Sequence, residues 1–175
     1  MEFNEFKELI ISRAKQADAC QSEYKKALSA QTKEELLSVI AENASWCYSA
    51  KVIDIPTLNF YRSEELWAVG IYINYTGSVK GKCLVIGGKV EARENSSVVA
   101  RENSSVVARE NSSVVAWGNS SVVAWGNSSV VAWGNSNTNC YNSADLHKVN
   151  DRATIKELQT GKIYFKKDAF TIVEL

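Results

Sequence analysis

Proline, histidine and methionine each occur once in this chain of 175 residues, and its charges cancel, 20 basic side chains against 20 acidic. A balanced charge leaves no long-range field to gather nucleic acid or an anionic membrane. The single histidine, His147, and cysteines scattered at Cys20, Cys47, Cys83 and Cys140 lack the paired spacing of a zinc site, so no metal is expected. The opening Met1-Glu2-Phe3-Asn4-Glu5 is acidic and shows no basic and apolar leader, so the thiols are expected to be free, in a reducing cytoplasm. No uninterrupted apolar run approaches the roughly 18 residues of a membrane helix.

What the chain has in abundance is repetition. Six near-identical octapeptides run from Val90 to Asn135: three read Val-Val-Ala-Arg-Glu-Asn-Ser-Ser or nearly so, three Val-Val-Ala-Trp-Gly-Asn-Ser-Ser. The register valines are Val90, Val98, Val106, Val114, Val122 and Val130. A short fixed period belongs to stacked architectures in which each unit touches only its neighbours. It weighs against an enzyme, whose site needs several different residues to converge. A helix is excluded because eight fits a 3.6-residue turn poorly and Val-Val, Gly and Asn-Ser-Ser are weak helix formers.

Strand alternation instead puts Ser96, Val98 and Ala100 on one face and Ser97, Val99 and Arg101 on the other. The first set fits a narrow interior, and Asn with its preceding Gly or Glu supplies a corner. Two octads then close a flat coil of about 16 residues, and residues one coil apart stack at about 4.8 Å. One side would carry Arg93, Arg109, Trp125 and Tyr141, the opposite side Arg101, Trp117 and Trp133. Arg109 over Trp125 and Arg101 over Trp117 are expected cation–π pairs worth about 0.5–1 kcal/mol each. Glu94, Glu102 and Glu110 are expected to relieve repulsion among the arginines. The pattern decays late: Thr138 and Leu146 take valine places, Cys140 an alanine place, and Tyr141 the place of tryptophan.

The flanks complete an α+β chain with three expected parts: a helical region over 1–69, an octapeptide β-solenoid over 70–149, and a C-terminal β cap over 150–175. Phe3, Phe6, Leu9, Ile10, Ala14, Ala17, Tyr24 and Leu28 predict one long amphipathic helix. Thr32 and Glu35 read as a reciprocal capping box ahead of Leu36, Leu37, Val39 and Ile40. Asn43 is the expected cap of a short helix carrying Trp46, Pro56 opens an irregular stretch, and Ser63-Glu64-Glu65 starts another helical turn. Cys83-Leu84-Val85-Ile86 reads as a short strand ended by Gly87-Gly88. Strands over 153–156, 162–165 and 170–173, with turns at Gly161 and Lys167-Asp168, would cover the open end of the sheet.

The lead-in Gly70-Ile71-Tyr72-Ile73, followed by units of the form Val-x-Ala-aromatic-x-Asn-Ser, resembles the octapeptide-repeat proteins of phages, prophages and gut bacteria. The resemblance implies a β-solenoid and a mobile-element association, in the cytoplasm of a bacterial host. It implies no activity. The Asn-x-x-Val spacing is also similar to that of grass ice-binding rolls, but those present threonine outward, where this chain has Ser, Val, Arg and Trp.

No catalytic, cofactor or metal site is expected. The many serines belong to the repeat, and His147, between Asp145 and Asp151, lacks a nucleophile. No Lys-Ser or Lys-Thr follows Gly87-Gly88 at phosphate-loop spacing. Cys20 and Cys140 read as small buried hydrophobes. The candidate binding surface is the pair of ladders, because Trp and Arg dominate interface hot spots. A column of aromatics could also stack single-stranded nucleic acid, or simply stabilise the solenoid. The leading expectation is a non-enzymatic protein-binding or scaffold protein. Its main rival is a phage-encoded, anti-CRISPR-type inhibitor that binds a host nuclease complex. An enzyme with a site in the N-terminal region stands last. The expected partners are another protein and a second copy of this chain, the latter on the face of Trp117 and Trp133.

Overall fold

The computed structural model describes residues 2–141 and 147–169. It divides into two compact units, Met1–Ile71 and Tyr72–Leu175.

The first unit holds six helices: α1 (Phe3–Gln16), α2 (Gln21–Ser29), α3 (Lys33–Glu42), α4 (Ala44–Ser49), α5 (Ile55–Leu58) and α6 (Ser63–Ala68). The single long helix expected at the start is broken between α1 and α2, where Asp18 turns left-handed at φ 51°. The break lets Ala27 of α2 be buried together with Phe6, Ile10 and Ala14 of α1, which a straight rod could not fold back to do. Thr32 caps α3 as expected, accepting from Glu35 N at 3.2 Å, but the Glu35 carboxylate reaches Gln31 N (2.6 Å) instead of Thr32. Asn43 precedes α4 without capping it; its amide donates to Glu23 and to the Val39 carbonyl. Pro56 lies in the first turn of α5, capped by Asp54, where its missing N–H costs nothing. Ser63-Glu64-Glu65 does start a helix, α6.

The second unit is a β-solenoid of about five turns. Strand β1 (Ile71–Val79) pairs with β2 (Lys82–Ala92), which then serves both sides of the first coil. Gly87-Gly88 does not end that strand. At φ 71° and 90° it bends it, so that Lys82–Ile86 starts one side and Lys89–Ala92 the other. Above one half stack β3 (Ser97–Arg101), β5 (Ser113–Ala116), β7 (Ser129–Ala132) and β9 (His147–Val149). Above the other stack β4 (Ser105–Ala108), β6 (Ser121–Ala124), β8 (Asn137–Cys140) and β10 (Thr154–Glu157). Both stacks are parallel, and their register repeats every two octads: Val98 lies under Val114 and Val114 under Val130. Antiparallel β11 (Lys162–Phe165) closes the β10 edge. Thus β10, expected in the cap, is the last rung of the solenoid, and β11 alone of these strands has cap character. The strand expected over 170–173 lies outside the described residues.

The interior follows the alternation. Val98, Ala100, Val106, Ala108, Val114, Ala116, Val122, Ala124, Val130 and Ala132 are all fully buried, as is Cys140 in its alanine place. Withdrawing each valine from water contributes about 1.5–3 kcal/mol before chain entropy is counted. The buried corner serines hold the turns: Ser104 Oγ donates to Arg101 O (2.5 Å) in its own turn and to Val85 O (3.2 Å) one coil below. Ser120 repeats this with Trp117 O and Glu102 O.

The corner chemistry differs from expectation in one respect. The left-handed residue is not Asn but the one before it: Glu94, Glu102 and Glu110 at φ 58–60° and Gly118, Gly126 and Gly134 at φ 66–67°. The asparagines instead form exposed amide ladders, Asn119 Nδ2 donating to Asn103 Oδ1 at 3.4 Å and Asn135 Nδ2 to Asn119 Oδ1 at 3.4 Å.

Candidate binding faces: two arginine–aromatic ladders

Two outer faces flank the solenoid. Face A is built on β4, β6, β8 and β10, and face B on β3, β5, β7 and β9. All seven candidate residues lie where a coil of two octads puts them. Backbone bonds Arg109 N to Ala92 O, Trp125 N to Ala108 O and Tyr141 N to Ala124 O set the face A corner column of Arg93, Arg109, Trp125 and Tyr141. Trp117 N to Ala100 O and Trp133 N to Ala116 O set the face B column of Arg101, Trp117 and Trp133. Trp117 and Trp133 stack with centroids 5.0 Å apart and planes within 6°. Trp125 and Tyr141 stack at 3.7 Å and 4°. Parallel strands in two-octad register bring the rings within stacking distance, and each such pair adds about 0.5–1.5 kcal/mol beyond burial.

The arginines behave differently on the two faces. Arg101 lies over Trp117 at 4.7 Å, forming the expected cation–π pair. Arg109 turns to Glu91, one coil below, and so does Arg93 from the same coil; of the two expected pairs only Arg101–Trp117 is present among the described residues. A carboxylate is available on face A, and a charge-assisted pair outcompetes a ring. The guanidinium groups of Arg93 and then Arg109 hold the Glu91 carboxyl below its usual range. Glu91 is thus the acid paired with Arg93 and Arg109, and the corner Glu110 adds its charge at Arg93. Glu94 pairs with Lys80, and the Glu110 carboxylate accepts from Glu94 N (3.0 Å) one coil below. A left-handed corner directs its side chain toward the adjacent coil, and Asp151 accepts from Gly134 N (3.1 Å) in the same way.

The face A ladder is longer than the repeat suggests. Leu158 N donates to Cys140 O, so Leu158 follows Tyr141 in the column. The next outward column runs Glu91, Val107, Val123, Asn139, Lys156, and continues to Ile163 through the antiparallel pairing of Lys156 with Ile163. Leu158 and Ile163 escape a reading by period because the last coil is longer than two octads: Thr138 pairs with Ile155, not with Thr154 as the period would have it. The same insertion puts His147 opposite Val130. Leu146, expected in that place, lies outside the described residues.

His147 serves structure. Its Nδ1 accepts from Val130 N at 3.1 Å, and burial lowers its pKa from the ordinary 6.5. Asp151 is occupied at the corner, and Asp145 lies outside the described residues. All four cysteines are free. Cys20 is exposed instead of buried, its thiol lowered by a hydrogen bond with Ser22; burial pushes Cys47 and Cys83 up to about 11. Among the described residues no cluster of His, Cys, Asp and Glu could hold a metal ion, and no helix is long and apolar enough to cross a membrane. Comparison with protein-family models, with curated proteins and with solved structures finds no match for this chain.

Proposed function

We propose that this chain is a non-enzymatic protein-binding scaffold, in which the solenoid is a rigid ruler and the Arg101–Trp117–Trp133 ladder of face B is the docking strip for another protein. One observation carries the reading: the rings lie face against face along the solenoid, at 5.0 Å and 3.7 Å in the two ladders. Within each pair each ring gives one face to its neighbour, and Arg101 lies over Trp117 as well. A base or a sugar ring stacks on an aromatic face, so Trp117, covered from both neighbouring rungs, suits neither. Tryptophan edges beside a guanidinium suit the mixed apolar and polar surface of a protein. The three rungs lie one coil apart and span about 10 Å, which suits a compact contact on a partner surface.

The repeat's resemblance to phage and prophage proteins supports a mobile-element role, and inhibition of a host defence nuclease is the narrower form of that reading. The test is retention of host proteins on the immobilised chain, wild type against Trp117→Ser/Trp133→Ser, with melting curves to show that both are folded. Loss of a defined partner in the variant is expected. Identical retention by both would overturn the docking role of face B. Addition of the pure chain to a host CRISPR nuclease assay then decides the narrower form.

A further inference from the structure

We propose that the cleft walled by α1, α2, α3 and α4 of the helical unit is a binding site for a small, uncharged aromatic molecule carrying one N–H or O–H donor. The cleft has a volume of about 420 Å³, within the range of small-molecule sites. It exists because small side chains stand where larger ones would close it. Ala14 of α1, Ala19 of the turn at Asp18 and Ala27 of α2 all line it, together with Val39 and Ile40 of α3. Interiors pack as densely as organic crystals, so a leucine in place of any of the three alanines would enter this space.

Size and wall chemistry select the ligand. The volume is between two and three times the ~150 Å³ that accommodates benzene in an apolar cavity, so it takes two or three rings, roughly 15 non-hydrogen atoms. Tyr24, Trp46 and the Cys47 thiol are all part of the lining, and Trp46 is 41% exposed. Rings gain contacts with other rings and with sulfur beyond the area they bury, which favours an aromatic ligand over an aliphatic chain.

Charge narrows the choice. The ionic groups of the lining are two acids, Asp18 and Glu23; among the described residues no basic side chain lines the cleft. Glu23 is already paired with Lys26 at 3.0 Å, and Lys26 also meets Glu42 at 3.0 Å. An anion would enter against two acids. A cation would lose its water with no unpaired acid inside to meet it, because Asp18 is exposed. The ligand that fits is uncharged. Asn43, also in the lining, commits its amide hydrogens to Glu23 Oε2 (2.9 Å) and to the Val39 carbonyl (3.3 Å), which fixes its orientation and leaves its Oδ1 as an acceptor. An acceptor calls for a donor on the ligand.

The probe is phenylnaphthylamine, which is uncharged, has one N–H and about 17 non-hydrogen atoms, and brightens when it leaves water. Titrated into the full chain, it is expected to bind with a Kd on the order of micromolar. Its sulfonate, the same skeleton with a negative charge, should bind at least about tenfold more weakly. Naphthol should displace the probe about fivefold better than naphthalene, which lacks the donor, and decanol should displace it less than either. Two variants fill the cleft from different walls, Ala27→Leu and Val39→Phe. Whichever of them keeps the wild-type circular dichroism should lose at least about tenfold in affinity. A readout in the wild-type chain places the probe: Cys20, the exposed thiol of the lining, should react several-fold more slowly with a disulfide reagent when the probe is saturating. No saturable binding, undiminished binding by a folded filled variant, a sulfonate or decanol that binds as well as the uncharged aromatics, or a Cys20 that the probe leaves unprotected would overturn the proposal. These variants lie in the helical unit and touch none of Arg101, Trp117 and Trp133, so failure here leaves the docking role of face B standing.

Discussion

Thr138→Val is expected to stabilise the solenoid. Thr138 occupies a valine place, above Val122 and below Ile155, and is 0% exposed. Its Oγ1 has no hydrogen-bond partner among the described residues. Burying a hydroxyl without a partner costs about 1–3 kcal/mol, and the methyl that replaces it adds up to about 0.8 kcal/mol of burial at nearly the same volume. The column already accepts this shape at Val106 and Val122, so little strain is expected, and the net gain should be about 1–2 kcal/mol. Urea unfolding followed by the sheet signal in circular dichroism measures it as a rise in the midpoint at constant slope. The reverse substitution one coil down, Val122→Thr, should cost a comparable amount. A neutral or destabilising Thr138→Val, with Val122→Thr still costly, would refute the reasoning, because it would mean that the Thr138 hydroxyl is satisfied.

Gly118→Ala places a Cβ 3.1 Å from the Glu102 carbonyl oxygen at φ 67° and should destabilise by about 1–2 kcal/mol in the same unfolding assay, whereas Glu102→Gly relieves a left-handed non-glycine residue and should stabilise by up to about 1 kcal/mol. His147 binds its proton less readily folded than unfolded, so the unfolded state takes up more protons below the ordinary 6.5; stability should fall as pH drops through that value toward the lowered one, and His147→Asn should flatten this step in a pH series of melts. In the native chain one thiol, Cys20, should react promptly with a disulfide reagent, the buried Cys47, Cys83 and Cys140 only after denaturant is added. Deleting the stretch from Ser113 to Ser128 removes β5 and β6, one whole coil, and joins equivalent registers, so the shortened chain should keep cooperative melting and strand content.

The sequence by itself determined the coil. A period of eight with small residues at alternate positions leaves one arrangement that buries Ser, Val and Ala together, and the stacking of Arg, Trp and Tyr two octads apart follows from it without further information. The Thr32 cap and the helical character of the N-terminal region were legible for the same reason: each rests on contacts within one turn of chain. The tertiary structure decided what depends on groups distant in sequence. Arg109 abandons Trp125 because Glu91 comes within reach one coil below, a competition that spacing alone does not show. Gly87-Gly88 bends a strand instead of ending it, because the first coil needs both of its sides from β2. The α1–α2 break at Asp18 exists because a folded-back α2 buries Ala27, which outweighs one strained residue. Leu158 and Ile163 join face A only because the last coil outruns two octads, and an insertion of a single residue shifts every later side chain out of the period from which it would be read.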